Sequence, residues 1–253
     1  MALPYELLIG LRYTRAKRRN HFISFISLIS MLGIGLGVAA LIVVLSVMNG
    51  FQKELRTRIL GVASHIQITA INGELHNWPA IAGQAAKHPE VRAAAPFVQS
   101  QGMFSVDGGV KGTIVRGILP DQEDKVADFR KTIQSGSLDD LRPGEFGVVL
   151  GSDLARSLRV FTGDKVTLIA PQGTVTPAGV VPRLKSFRVV GIFEVGMYEY
   201  DSGLALINLE DAQRLYQVGD GVTGVRLKVD DLFQAPRIAR ELVKYIDADA
   251  YLH

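Results

Sequence analysis

Cysteine is absent from all 253 residues, which excludes disulfides and thiolate-bound metals and leaves the redox compartment open. No GxxxxGK[ST] loop occurs, so the usual phosphate cradle is missing and any nucleotide hydrolysis is expected in a partner. The glycines at 33, 35 and 37 lack the strand-turn-helix setting of a dinucleotide fingerprint. The five histidines, His21, His65, His76, His88 and His253, show no ligand spacing, and no serine sits in a G-x-S-x-G elbow. Acidic pairs such as Asp139-Asp140 and Asp247-x-Asp249 read as turn or surface residues. Neither a metal site, a cofactor nor catalysis is therefore expected of this polypeptide.

Charge is also missing where it matters most. From Phe22 to Met48 no side chain is ionisable, and a helix of that length more than covers a hydrocarbon core of about 30 Å. The run is too long for the apolar region of a cleaved signal peptide, so a membrane-crossing helix is expected. Before it stand Arg12, Arg15, Lys17, Arg18 and Arg19 with only Glu6 against them. After it Lys53, Arg56 and Arg58 lie close to Glu54. The larger basic cluster is expected to stay in the cytoplasm, leaving everything after Met48 outside. That cluster also accounts for much of the net charge of +3 and the pI near 9.1, so nucleic acid is not an expected partner. Within the span, Ser30, Gly33, Gly37 and Ala40 form a small-residue face suited to close helix packing.

Beyond the span the residues 49–61 keep Phe51, Leu55 and Ile59 on one face, which predicts a helical stalk stopped by Gly61. Alternation predicts a strand over 64–71. Asn77 and an early proline predict a helix over 79–87. Strands over 91–106 and 110–118 are joined by Asp107-Gly108-Gly109, a strong hairpin signal. From Pro120 the texture changes to short elements between Gly, Pro and Asp, and a second subdomain is expected to begin there. It should contain short strands over 148–150, 165–169, 187–193 and 204–209, a helix over 152–158 capped by Ser152, and a helix over 210–216. A strand over 224–229 and a helix over 236–245 then close the chain. Between 169 and 187 lies APQGTVTPAGVVPRLKS, a proline-stiffened arm expected to protrude rather than turn tightly. Val175, Val180 and Val181 would present apolar contacts to a soluble partner, and Arg183 and Lys185 would attract an acidic one.

Three stretches carry a resemblance: ELLIGLRYTRAKRRNHFISFISLISMLGIGLGVAALIVVLSVMNGFQKELRTRILGVASHIQI, then AAAPFV, then VVLGSDLARSLRVFTGDKVTL. They resemble the membrane subunits of the bacterial lipoprotein-releasing ABC transporter, the LolC/LolE type, within the MacB-like and FtsX-like permeases. The resemblance implies an α+β chain: an N-terminal transmembrane helix followed by a MacB-like periplasmic domain of porter-like and inserted, mainly-β subdomains. It divides the chain into a cytoplasmic segment 1–21, the span 22–48 and the stalk 49–61. A porter-like subdomain then occupies 62–119 and 217–253, and an inserted subdomain 120–216 carries a hook over 170–186. It implies a bacterial inner-membrane location and partners that include ATPase subunits of LolD type and a second membrane subunit, either LolE type or a second copy. A periplasmic carrier of LolA type, lipoprotein substrates and membrane lipid complete the set. Such complexes release acylated lipoproteins to the carrier, which a hook on the LolC-type subunit recruits. Here the hook corresponds to Pro171, Val175, Pro177, Val180, Val181, Pro182, Arg183 and Lys185, and its presence favours the LolC-like reading. Val44, Met48 and Phe51 are expected to touch acyl chains, since Met and Phe adapt to them. Three further spans are implied that this sequence does not contain. Two other readings stay open: a permease of the same superfamily with another substrate, and a single-span protein whose outer domain binds or scaffolds.

Overall fold

The computed structural model describes residues 5, 9–10, 12, 21–62, 65–71, 73–176, 179–246 and 250–252. Its first element, α1 (His21–Val62), is one uninterrupted helix of 42 residues that joins the expected span and stalk and runs one residue past Gly61. Its 28-residue apolar window, Phe25–Gln52, is exposed along its whole length, as suits a helix whose partner is lipid or another helix. The chain forms two compact units, 1–55 and 56–253.

The second unit is built on β1 (Ile66–Ala70), α2 (Trp78–Ala85), β2 (Val91–Val106), β3 (Gly109–Ile118), α3 (Pro120–Val126), β4 (Ile133–Gly136), β5 (Gly147–Gly151) and α4 (Ser152–Leu158). There follow β6 (Lys165–Thr176), β7 (Gly179–Phe193), α5 (Tyr198–Gly203), β8 (Leu204–Asn208), α6 (Leu209–Tyr216), β9 (Gly224–Val229), α7 (Ala235–Leu242) and β10 (Ala250–Leu252). The strands join in the order β10-β1-β9-β2-β3-β8-β5-β7-β4. β6 pairs with both β2 and β7, which closes the ring β2-β3-β8-β5-β7-β6. A closed ring leaves its members no free edge. The pairing crosses the division expected at Pro120, since β3 lies parallel to β8 and β2 antiparallel to β6.

β5 and β8 are buried at every position because they lie between two apolar layers. Val148, Leu150, Ala205 and Ile207 face the larger core, while Val149, Leu204 and Leu206 face a smaller one around Phe129, Leu138 and Phe193. Continuous apolar runs such as VVL and LALI are the sequence form of strands buried on both faces. The β2–β3 turn has Asp107 at φ 48° and Gly108 at φ 83°, the conformation that a two-residue hairpin turn requires.

Three expectations need correction. The helix α3 was not expected after Pro120. The segment PDQEDKV places a proline in the first turn and acids near the helix N-terminus, and Glu123 packs inward. Ser152 is the first residue of α4 rather than its cap, and its Oγ accepts from Arg156 Nη2 at 3.2 Å. The arm was expected to protrude rather than turn tightly, but β6 and β7 run well beyond the expected strands and pair as a ribbon up to a close return, Thr174 with Val181, Val175 with Val180 and Thr176 with Gly179. Backbone groups on an exposed arm satisfy each other most simply in a ladder. The register shifts between Ala170 and Thr174, where Pro171 cannot donate and Gly173 approaches the facing strand so closely that a β-carbon would lie 2.0 Å from the Val181 carbonyl oxygen.

Charge is buried on one side of the sheet. Arg226 of β9 binds Glu123 of α3, and both are essentially inaccessible. Arg116 of β3 donates to Gln99 Oε1 of β2 through Nε and Nη2 at 3.2 and 3.0 Å. Burial and then the neighbouring Arg226 push the Arg116 guanidinium down to about 10. Two cations thus lie close together in the interior, with the Glu123 carboxylate opposing the fall in the Arg116 pKa.

Candidate functional site

The arm grows from the wall of the ring. Along β7 the alternation of a strand places Val181, Arg183, Lys185 and buried Phe187 on one face and Pro182 and Leu184 on the other. The basic residues of the first face are engaged within the domain. Arg183 donates to the Leu215 carbonyl at 3.1 Å and through Nη2 to Gln217 Oε1 at 2.5 Å, and Lys185 Nζ stands 3.7 Å from the centre of the Phe146 ring. Val181 is 55% exposed, and Pro171 and Pro182 are exposed beside it. Val175 and Val180 pair across the ribbon, and Pro177 lies outside the described residues.

The outer face continues from the arm onto the ring. Registers place Gly112 of β3, Met103 of β2, Ile169 of β6 and Leu184 of β7 side by side. Leu184 is 65% exposed, Met103 is exposed and Ile169 half-buried. Ile114 and Val110, on the same face of β3, extend this exposed apolar strip. Sequence reading missed Leu184, Met103 and Ile169 as a surface. Each is an unremarkable apolar residue on a different strand, and only the register makes them neighbours.

In α1, Ser30, Gly33, Gly37, Ala40, Val44, Met48 and Phe51 recur at helical spacing and fall within roughly a quarter of the circumference. The small-residue face and the three candidate acyl-contact residues therefore form one stripe, small towards its start and large towards its end. All seven are exposed, and nothing stands within 4 Å of a β-carbon built on Gly33 or Gly37.

Other buried polar groups have structural partners. Asp211 accepts from the Gly144 and Phe146 amides at 2.8 and 3.1 Å, and burial nonetheless raises its carboxyl above the ordinary range. Asp201 accepts from the Val195 and Gly196 amides. Among the described residues no group of three or more His, Cys, Asp or Glu side chains is arranged to hold a metal.

An exposed apolar helix is thus followed by a mixed sheet with a closed ring and a ribbon growing from it. The profile of the MacB-like periplasmic core domain matches residues 27–245, and the chain belongs to that family. It is similar to the lipoprotein-releasing system transmembrane protein LolC of Neisseria meningitidis serogroup B, with 47% identity over 97% of this chain and 59% of that protein. It is also similar to the transmembrane protein LolE of Haemophilus influenzae, with 35% identity over 90% of this chain and 55% of that protein. The chain thus spans less than two thirds of the length of these relatives. Among solved structures, the periplasmic region of MacB from Actinobacillus actinomycetemcomitans superposes with a TM-score of 0.50 at 16% identity, covering 77% of this chain and 91% of that one, a likeness of fold. The expected fold class, an N-terminal helix ahead of a MacB-like α+β domain, is the one observed.

Proposed function

We propose that the chain acts as a membrane subunit of a lipoprotein-release ABC system in the bacterial inner membrane, with its N-terminus cytoplasmic and its main domain periplasmic. The observation that carries this reading is the 47% identity to a LolC protein over 97% of the chain. ATP hydrolysis belongs to partner subunits of LolD type, and a second membrane subunit, LolE-like or another copy, completes the pair. The porter-like parts 62–119 and 217–253 and the inserted part 120–216 are retained as functional divisions.

In this reading the ribbon recruits the periplasmic carrier. Val181, Pro182 and Leu184 supply exposed apolar surface, and the strip through Ile169 and Met103 extends it onto the rigid ring. A pre-paired ribbon loses little conformational freedom on docking. Arg183 and Lys185 hold the arm's base through α6 and Phe146, which makes positioning their first role. On α1, Val44, Met48 and Phe51 offer adaptable apolar surface to acyl chains. Extracting a chain from lipid must be compensated by about 0.8 kcal/mol per CH₂. Ser30, Gly33, Gly37 and Ala40, on the same stripe, let a partner helix approach closely.

The test is co-purification of the full chain, in detergent, with the lipoprotein carrier of the same organism. Binding should be lost when residues 174–181 are deleted and in Val181→Asp. Retention of the carrier by the deletion variant would remove the arm from the mechanism. Absence of binding by the folded wild type would point to a permease with another substrate.

A further inference from the structure

The ribbon changes register between Ala170 and Thr174, and the last pair below the shift is Ala170 with Arg183. Pro171 has no amide to donate there, which thins the ladder. Directly below the shift the inner face of β7 meets two supports from other parts of the fold. Arg183 donates to the Leu215 carbonyl and to Gln217 Oε1, both at the end of α6, and Lys185 stands over the Phe146 ring. That ring also meets Phe187 edge-on, with centroids 5.5 Å apart, and the Phe146 carbonyl accepts from the Arg188 amide at 2.9 Å.

Both supports stand on left-handed backbone. Phe146 has φ 51° and Gln217 φ 58°, a region that glycine adopts freely and bulkier residues avoid. Gln217 is the C-cap of α6, a common place for this conformation, and its amide donates to the Gln213 carbonyl. Phe146 ends no helix, and its conformation is imposed from outside. Asp211, fully buried in the first turn of α6, accepts from the Gly144 and Phe146 amides at 2.8 and 3.1 Å. One helix therefore holds the base of the arm from both of its ends, through Asp211 and Phe146 at its start and through Leu215 and Gln217 at its finish. A bulky residue kept in a sparsely populated conformation persists only where its surroundings over-determine it. Here those surroundings are the underside of a projecting ribbon.

We propose that α6 fixes the direction in which the arm leaves the ring, with Gln217, Phe146 and Asp211 as its positioning residues, and that this direction governs docking of the carrier. The docking clause rests on the carrier reading above, and the first clause does not. The register shift just beyond Arg183 is the point at which the arm bends once its base is released.

The absence of cysteine allows two nitroxide labels in the full chain, at Val181→Cys on the arm and Tyr198→Cys on α5, both exposed positions. Their distance distribution is read by double electron-electron resonance in detergent, and the doubly labelled parent should give one narrow distribution. Gln217→Gly removes the acceptor from Arg183 and gives the left-handed position the residue that suits it. The distribution should therefore broaden while the melting temperature of the outer domain holds. Adding Phe146→Gly should broaden it further. Gln217→Glu supplies a charged acceptor in the same place and should keep the distribution narrow. In unlabelled chains, affinity for the carrier should fall with the share of arms left in the docking direction, about tenfold if one in ten keeps it. A double variant as narrow as the parent, or Gln217→Glu as broad as Gln217→Gly, overturns the proposal. A melting temperature that falls in step with the broadening would make Gln217 an ordinary stabilising contact and overturn it equally. Broadening with carrier affinity unchanged overturns the docking clause. If the wild type binds no carrier, the carrier reading falls, and the distances still decide whether α6 sets the direction.

Discussion

Changing Glu123 to Gln keeps the side chain's shape and removes its charge. Arg226 is then left in a site where it is 1% exposed, with Arg116 beside it also buried. Two guanidinium groups would then lie in the interior without the Glu123 charge. Breaking a buried ion pair from one side costs about 3–5 kcal/mol. For a domain of this size each kcal/mol moves the melting temperature by about 2–4 °C, so a fall of roughly 6–20 °C is expected. Trp78, the one tryptophan, packs against the main core and gives a fluorescence signal for the outer domain even when α1 is held in detergent. Replacing the pair together, Glu123→Leu with Arg226→Met, should recover most of the loss, because apolar groups of similar volume need no desolvation. A single-variant loss under about 1 kcal/mol, or a double variant as unstable as the single one, would refute the claim that the pair ties α3 to the sheet.

Tyr216 has a buried hydroxyl with no partner among the described residues, and burial raises its pKa. Tyr216→Phe should therefore be neutral or stabilise by up to about 1 kcal/mol in the same melt. Gly173→Val should open the arm, because its β-carbon would strike the Val181 carbonyl. Hydrogen exchange should rise at Val181 while β5 and β8 stay protected. The Glu241 carboxyl is held below its ordinary value of 4.5, first by the hydrogen bond from His88 and then by Arg237. A lowered folded pKa means stability that is present above the unfolded value and is lost as pH falls through the folded one. Wild type and Glu241→Gln should accordingly differ in stability near neutrality and converge as pH falls below the ordinary carboxylate range in an acid titration.

Local signals carried much of the outer domain. β2 is readable from end to end because one of its faces alternates against solvent, and its turn carries Asp107-Gly108. β5 and β8 are readable as unbroken apolar runs. α3 was hidden by its polarity: PDQEDKV buries Glu123 only because Arg226 arrives from a strand 103 positions away, a pairing with no local trace. The extension of β6 and β7 was hidden by Pro171, Pro182 and the glycines, which read as breakers when the facing strand is unknown. Ring closure through β2 and β6 is likewise a long-range fact. For the candidate site, composition marked the arm but not its support. Arg183 was expected to attract an acidic partner and is bound to α6, while Leu184 carries no local signal and is exposed.

The central claim, that the ribbon and its adjoining strip meet a periplasmic lipoprotein carrier, is tested most directly by a photoreactive amino acid at position 184 in cells. The account predicts an ultraviolet-dependent adduct with the carrier, lost with Val181→Asp and absent when the probe sits at exposed Tyr198 on α5. An adduct with a different periplasmic protein, or a carrier adduct unaffected by Val181→Asp, would contradict it.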